Sequence, residues 1–147
     1  AAGGLAAGLI AFCGAAVRSG VELVMEAVGL AGRIRRADLV VTGEGRLDRQ
    51  TLRGKVARGV ARLAGELGRP VVAVARAVEL APEELRELGL EAALSIVERP
   101  VSLEEAMAQT GPLLERCGWR LGSLLRLGSR LPVAGSGPGG PAGAGRG

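Results

Sequence analysis

The chain has 147 residues and a mass of 14.9 kDa, a length that fits one domain. Nineteen basic residues against 15 acidic ones give a formal charge of +4, and histidine is absent, which excludes His-based triads, His-ligated zinc and imidazole acid–base chemistry within this chain. One Phe, one Trp and no Tyr leave the core to Leu, Val, Ile and Ala, and argue against a β-sandwich or a base-stacking nucleic-acid binder.

Gly and Ala together fill 49 of the 147 positions. Small residues let helices lie close on a parallel sheet. The basic excess is almost entirely arginine, with Lys55 the single lysine. Acids interrupt it along most of the chain, as in Glu83, Glu84, Arg86 and Glu87, and the dense stretch Arg46 to Arg62 holds no aromatic residue. No nucleic-acid partner is expected. Cys13 and Cys117 lie far apart without ligand-like neighbours, as idle thiols of a reducing compartment do. Residues 1–17 are uncharged but contain four glycines, lack a basic leader and fall short of the roughly 20 residues of a membrane span. A cytoplasmic location with no membrane partner is expected, and a start at Ala1 without Met suits a piece of something longer.

In chain order, an Ala/Leu run from Leu5 to Phe12 reads as a buried helix. Ser19 and Glu22 make a capping-box pattern before a short amphipathic helix that Gly29 ends. Residues 38–42 form an apolar run that reads as a strand buried on both faces, followed by a polar loop from Gly43 to Gln50. A helix from Leu52 to Leu67 follows, with Val56, Val60, Leu63, Ala64 and Leu67 on its apolar face. Val71–Ala75 and Ala92–Val97 read as further strands, with a helix from Glu83 to Leu88 between them. Ser102 and Glu105 repeat the capping box before a long helix whose apolar face carries Leu103, Ala106, Met107, Leu113 and Leu114, and which Pro112 should kink or break. Alternating strands and helices predict a three-layer α/β/α fold with a parallel sheet. Three strands are few for such a sheet, so the fold is expected to be incomplete, part of a larger domain. Domain-like sequence covers residues 1–131. From Pro132 onward ten of 16 residues are Gly or Pro, the composition of a disordered tail.

Open parallel sheets bind ligands at the carboxyl ends of their strands. There, Thr42 to Lys55 concentrates what phosphate chemistry uses. Gly43 and Gly45 permit close backbone approach and positive φ. Glu44 and Asp48 are carboxylates able to hold Mg²⁺ or orient a hydroxyl. Gln50 and Thr51 can hydrogen-bond, with Thr51 placed to cap the next helix, whose exposed N–H groups would attract an anion. Lys55 could neutralise phosphate oxygens. The segment is neither a P-loop, since Arg49 and Val56 stand where Gly and Ser or Thr belong, nor a G-x-G-x-x-G turn. On residue chemistry alone, an ordinary polar loop with a Thr-capped helix is an equal reading.

The segment resembles the signature of the bacterial glycerate kinases that form 2-phosphoglycerate, T-G-E-G-R-x-D-x-Q-S/T-x-x-G-K, at all ten specified positions over 14 residues, Thr42 through Lys55. Residues 1–9 are similar to the family's A-A-G-G-x-G-x-G-L segment, with Ala6 in place of a Gly, and Ser95–Val97 with Ser102–Ala106 resemble its last strand and helix. The resemblance covers about residues 1 to 127 and implies the carboxyl-terminal third of such an enzyme. It implies ATP and Mg²⁺ as cofactors, glycerate as substrate and the family's amino-terminal segments as partner; a homo-oligomer is compatible with it. By the same resemblance, Asp48, Glu44 and Lys55 are catalytic, with Asp48 and Glu44 toward metal. Gly43, Gly45, Arg46, Gln50, Thr51 and Gly54 bind the nucleotide. Two departures stand out. The family's D-S-F-K-G-S and A-D-G-G-E-G-T segments are missing, so the chain alone is expected not to catalyse. A family Gly–Ser pair is replaced by Arg76 and Ala77, which implies either a phosphate contact from Arg76 or, the favoured expectation, an altered site.

Overall fold

A computed structural model of the chain describes residues 4–53 and 56–131. Gly54, Lys55 and the tail from Pro132 lie outside the described residues. Three helices come first, α1 (Leu5–Cys13), α2 (Gly20–Ala27) and α3 (Leu30–Arg35). Then come β1 (Val40–Leu47), a 3-10 turn (Thr51–Arg53), α4 (Val56–Glu66), β2 (Val71–Val78), α5 (Pro82–Glu87) and β3 (Ala92–Ser95). Two helices close the described chain, α6 (Leu103–Ala108) and α7 (Thr110–Gly128). The strands form one parallel sheet in the order β1-β2-β3. Val40 stands opposite Val71 and Leu47 opposite Val78, while Val72 pairs with Ala92 and Ala75 with Ser95. The expected α/β class with helices on both faces is what the chain adopts.

Side-chain alternation divides the core in two. On one face Val71, Ala73 and Ala75 pack with Ile34, Leu47, Leu88 and Leu90 and with Ala57, Ala61 and Ala64 of α4. On the other, Val74 and Leu94 meet Ile96, Leu113 and Cys117. The helix pattern holds in part at α4: Ala64 is buried and Leu63 and Leu67 pack against the core. The buried seam itself is alanine at i, i+4 and i+7, which lets the helix approach the sheet, and Val56 lies exposed. Gly59 answers the same need toward α2, since a Cβ there would stand 2.7 Å from Val21 Cγ1.

Other local expectations shift for identifiable reasons. Ser102 caps α6 as its pattern predicts, accepting the Glu105 N–H at 3.0 Å. Ser19 makes no such bond, and the Glu22 side chain that would complete the box pairs instead with Arg62 of α4 at 2.7 Å. The break near Pro112 falls between Ala108 and Thr110, leaving the proline in the first turn of α7, where its missing N–H costs little. The strand read as residues 38–42 runs on to Leu47, and it is not buried on both faces: Val41 is 54% exposed. An open channel of about 350 Å³ separates β1 from α7, between Val41 and Leu121. Nor is α1 buried; none of its residues is, and Phe12 is 90% exposed. Trp119 projects from α7 with 70% of its surface exposed, two positions after buried Cys117. No helix among the described residues is long and apolar enough to cross a membrane.

Candidate functional site

The signature divides between β1 and the turn after it. Thr42, Gly43, Glu44, Gly45 and Arg46 are strand residues, the last four where a loop was expected. Asp48, Gln50 and Thr51 form the turn. Neither Gly43 nor Gly45 takes a positive φ; the described glycines that do lie elsewhere. What their missing side chains provide is space. Both line a cleft of about 540 Å³ at the carboxyl ends of β1 and β2, and a Cβ at Gly43 would meet the Val74 carbonyl at 3.5 Å.

Glu44 faces the α4 side, where its Oε1 accepts the Ala57 N–H at 3.1 Å. A strand carboxylate thus serves one of the unpaired amides that open a helix, and its charge suits the positive end of the helix dipole. The expected helix cap therefore comes from Glu44, not from Thr51. Thr51 is fully buried at 0% exposure, and its hydroxyl accepts the Asp48 N–H at 3.3 Å and donates to the Arg46 carbonyl at 3.5 Å. Asp48 closes the turn from the other end: Oδ1 accepts the Gln50 N–H at 2.9 Å, and its carbonyl accepts the Thr51 N–H at 2.9 Å. Four bonds across residues 46–51 fix the shape of the turn. Two ion pairs tie it to the segment after β2, Arg46 with Glu79 at 3.4 Å and Arg49 with Glu84 at 3.3 Å.

The cleft has two unlike walls. One is the strand ends, with Gly43, Gly45, Val74 and Arg76. The other is the α6–α7 corner, where Leu103, Met107 and Leu114 stand exposed to it. Sequence periodicity assigns these three to a buried face, but no periodicity signal separates a core face from a cleft wall. Ser95 was also missed. Its hydroxyl donates to the Arg76 carbonyl at 3.0 Å and its Oγ accepts the Val97 N–H at 3.1 Å, fixing the strand end that carries Arg76. The structure thus brings Glu44, Gly43 and Gly45 to the cleft, and Asp48, Gln50 and Thr51 to the adjoining turn. Gly54 and Lys55 fall outside the described residues.

Parallel strands flanked by helices, with a polar turn and a cleft at their carboxyl ends, define an α/β domain of the open parallel-sheet class. Comparison with known proteins gives the particular family. The model of the glycerate kinase family matches residues 1–126, and the chain belongs to that family. It is 49% identical over 116 residues to a glycerate kinase of Halalkalibacterium halodurans, covering 79% of this chain and 30% of the relative. It is 35% identical over 130 residues to the glycerate 2-kinase of Escherichia coli, covering 88% and 34%. A crystal structure assigned as glycerate kinase 2 of Salmonella typhimurium LT2 superimposes with a TM-score of 0.67 at 38% identity, over 89% of this chain and 33% of that one. The chain spans about a third of the length of these relatives.

Proposed function

We propose that this chain supplies part of the active site of an enzyme that moves the γ-phosphoryl of ATP to the 2-hydroxyl of D-glycerate, yielding 2-phosphoglycerate. The observation that carries the reading is the unbroken signature, Thr42 to Lys55, whose described part lies along the cleft and its adjoining turn. Phosphoryl transfer asks for positioning and charge neutralisation more than for covalent chemistry. Gly43 and Gly45 leave room for phosphate to approach the backbone. Gln50 and Thr51 hold the loop in shape. Arg46 and Lys55 offset phosphate charge; the exposed pair of Arg46 with Glu79 is weak enough for a phosphate to replace.

The donors also fit a magnesium ion, on one condition. Among the described residues no group of three or more acidic or thiol ligands gathers. Glu44 and Asp48 each have one oxygen accepting a backbone N–H. Two such carboxylates suit Mg²⁺ shared with phosphate oxygens and water, not an all-protein cage. Glu44 and Asp48 would hold it, and it would neutralise charge on the transferring group. Asp48 or Glu44 would also orient the glycerate hydroxyl. We read the enzyme as cytoplasmic.

A second reading, a non-catalytic remnant of such a kinase, is favoured by one observation: α1 and the outer part of β1 leave apolar side chains uncovered. The longest in-frame polypeptide containing these 147 residues, incubated with ATP, Mg²⁺ and D-glycerate and followed by phosphorus NMR, decides between them. Formation of 2-phosphoglycerate is expected. A folded polypeptide that forms no product leaves the remnant, and 3-phosphoglycerate would overturn the assignment of the acceptor hydroxyl.

A further inference from the structure

We propose that Arg76 is an anion-binding residue of the cleft, holding a phosphate or carboxylate group of the ligand; the assignment deepens the kinase reading and rests on it only for the ligand's identity. Arg76 lies near the carboxyl end of β2, in register beside the glycine-bearing end of β1, and lines the cleft with Gly43 and Gly45. Among the described residues it is the one cationic side chain in that lining. The rest of the described lining is glycine, apolar side chains, Thr110 and Glu44, whose Oε1 is turned to the Ala57 amide.

Two further observations set Arg76 apart from the arginines of the signature segment. Among the described residues it enters no ion pair, whereas Arg46 and Arg49 are matched to Glu79 and Glu84. Its backbone is fixed by the Ser95 hydroxyl on its carbonyl at 3.0 Å, so the side chain leaves from an anchored base. A half-buried guanidinium beside apolar walls lies where water weakens its attraction less than at an open surface. Its planar fork suits the paired oxygens of a phosphate or a carboxylate. Both groups are present in the proposed reactants, so the test separates them.

The 147-residue chain and its Arg76→Gln and Arg76→Lys variants are titrated calorimetrically with pyrophosphate and, separately, with D-glycerate, with circular dichroism recorded alongside. Wild-type chain is expected to bind at least one probe, more weakly as salt rises. Arg76→Gln should lose about tenfold or more in affinity, the worth of a charge-assisted hydrogen bond, and Arg76→Lys should fall between. Loss confined to pyrophosphate assigns a phosphate group; loss confined to glycerate assigns the carboxylate. Equal affinity in Arg76→Gln and wild type overturns the proposal, as does a folded chain that binds neither probe. So does a chain lacking the helix content described above, since the cleft would not exist in it. Binding is read without turnover, so a failure here leaves the kinase reading standing, and a failure of phosphoryl transfer leaves this one standing.

Discussion

The Glu44 carboxylate on β1 accepts the backbone N–H of Ala57 on α4 at 3.1 Å, so one acidic side chain of the signature joins the sheet to the helix that follows it. This gives Glu44 a structural duty beside its proposed catalytic one, and the two separate by substitution. Glu44→Ala removes both and should lower stability by about 1 kcal/mol, the usual worth of a helix-capping acceptor. Glu44→Gln keeps an acceptor and loses the charge. Its unfolding midpoint in urea should stay near wild type, while glycerate phosphorylation by the complete enzyme falls steeply. Equal loss of stability in both variants would mean that the charge, not the hydrogen bond, matters at the helix end.

The turn offers a parallel separation at Asp48. Asp48→Asn can still accept the Gln50 N–H through its side-chain oxygen, so the fold should hold within about 0.5 kcal/mol. Asp48→Ala should drop turnover of the complete enzyme by orders of magnitude, and Asp48→Asn should follow it if charge is what the reaction uses. Near-normal rates in Asp48→Asn would confine Asp48 to shaping the turn.

Thr51 is fully buried with its hydroxyl bonded on both sides. Thr51→Val keeps the shape and strips the hydroxyl, leaving the Asp48 N–H and the Arg46 carbonyl without that partner. The expected cost is about 1–3 kcal/mol, measured by thermal or urea unfolding. Thr51→Ser, which retains the hydroxyl, should cost less.

The two capping patterns make opposite predictions from the same residue type. Ser102→Ala should destabilise by about 1 kcal/mol, because its Oγ accepts the Glu105 N–H. Ser19→Ala should change the unfolding midpoint little, because Ser19 makes no cap bond.

Two helix glycines also part ways. Gly118 in α7 has open space where a Cβ would go, and Gly118→Ala should gain up to about 1 kcal/mol from helix propensity. Gly59→Ala should forfeit that gain, since its Cβ would stand 2.7 Å from Val21 Cγ1 and valine has little rotamer freedom with which to yield.

Much of this was readable from residues alone, and the exceptions share a cause. Strand–helix alternation gave the class, and the positive-φ glycines Gly29, Gly68 and Gly89 stand where helix ends were expected. The carboxyl-end rule and the match at Thr42 to Lys55 pointed to the segment whose described part borders the cleft. What local pattern could not supply was the identity of a residue's distant partner. Glu22 looks like a box residue until Arg62 arrives from 40 positions away. Glu44 looks like a free ligand until the start of α4 folds back on it. Leu103, Met107 and Leu114 have the spacing of a core face, yet they border a cleft whose other wall is the strand ends. Periodicity reports that a face is apolar; it does not report what stands opposite.

The single tryptophan on the outer surface of α7 has a practical corollary. Intrinsic fluorescence will follow whatever settles against that helix and will be a poor witness to loss of the sheet. The better witness is Cys117, two residues earlier and buried against the sheet, while Cys13 lies exposed on α1. A thiol reagent should therefore modify this chain in two phases, with the slow phase timing the opening of the core.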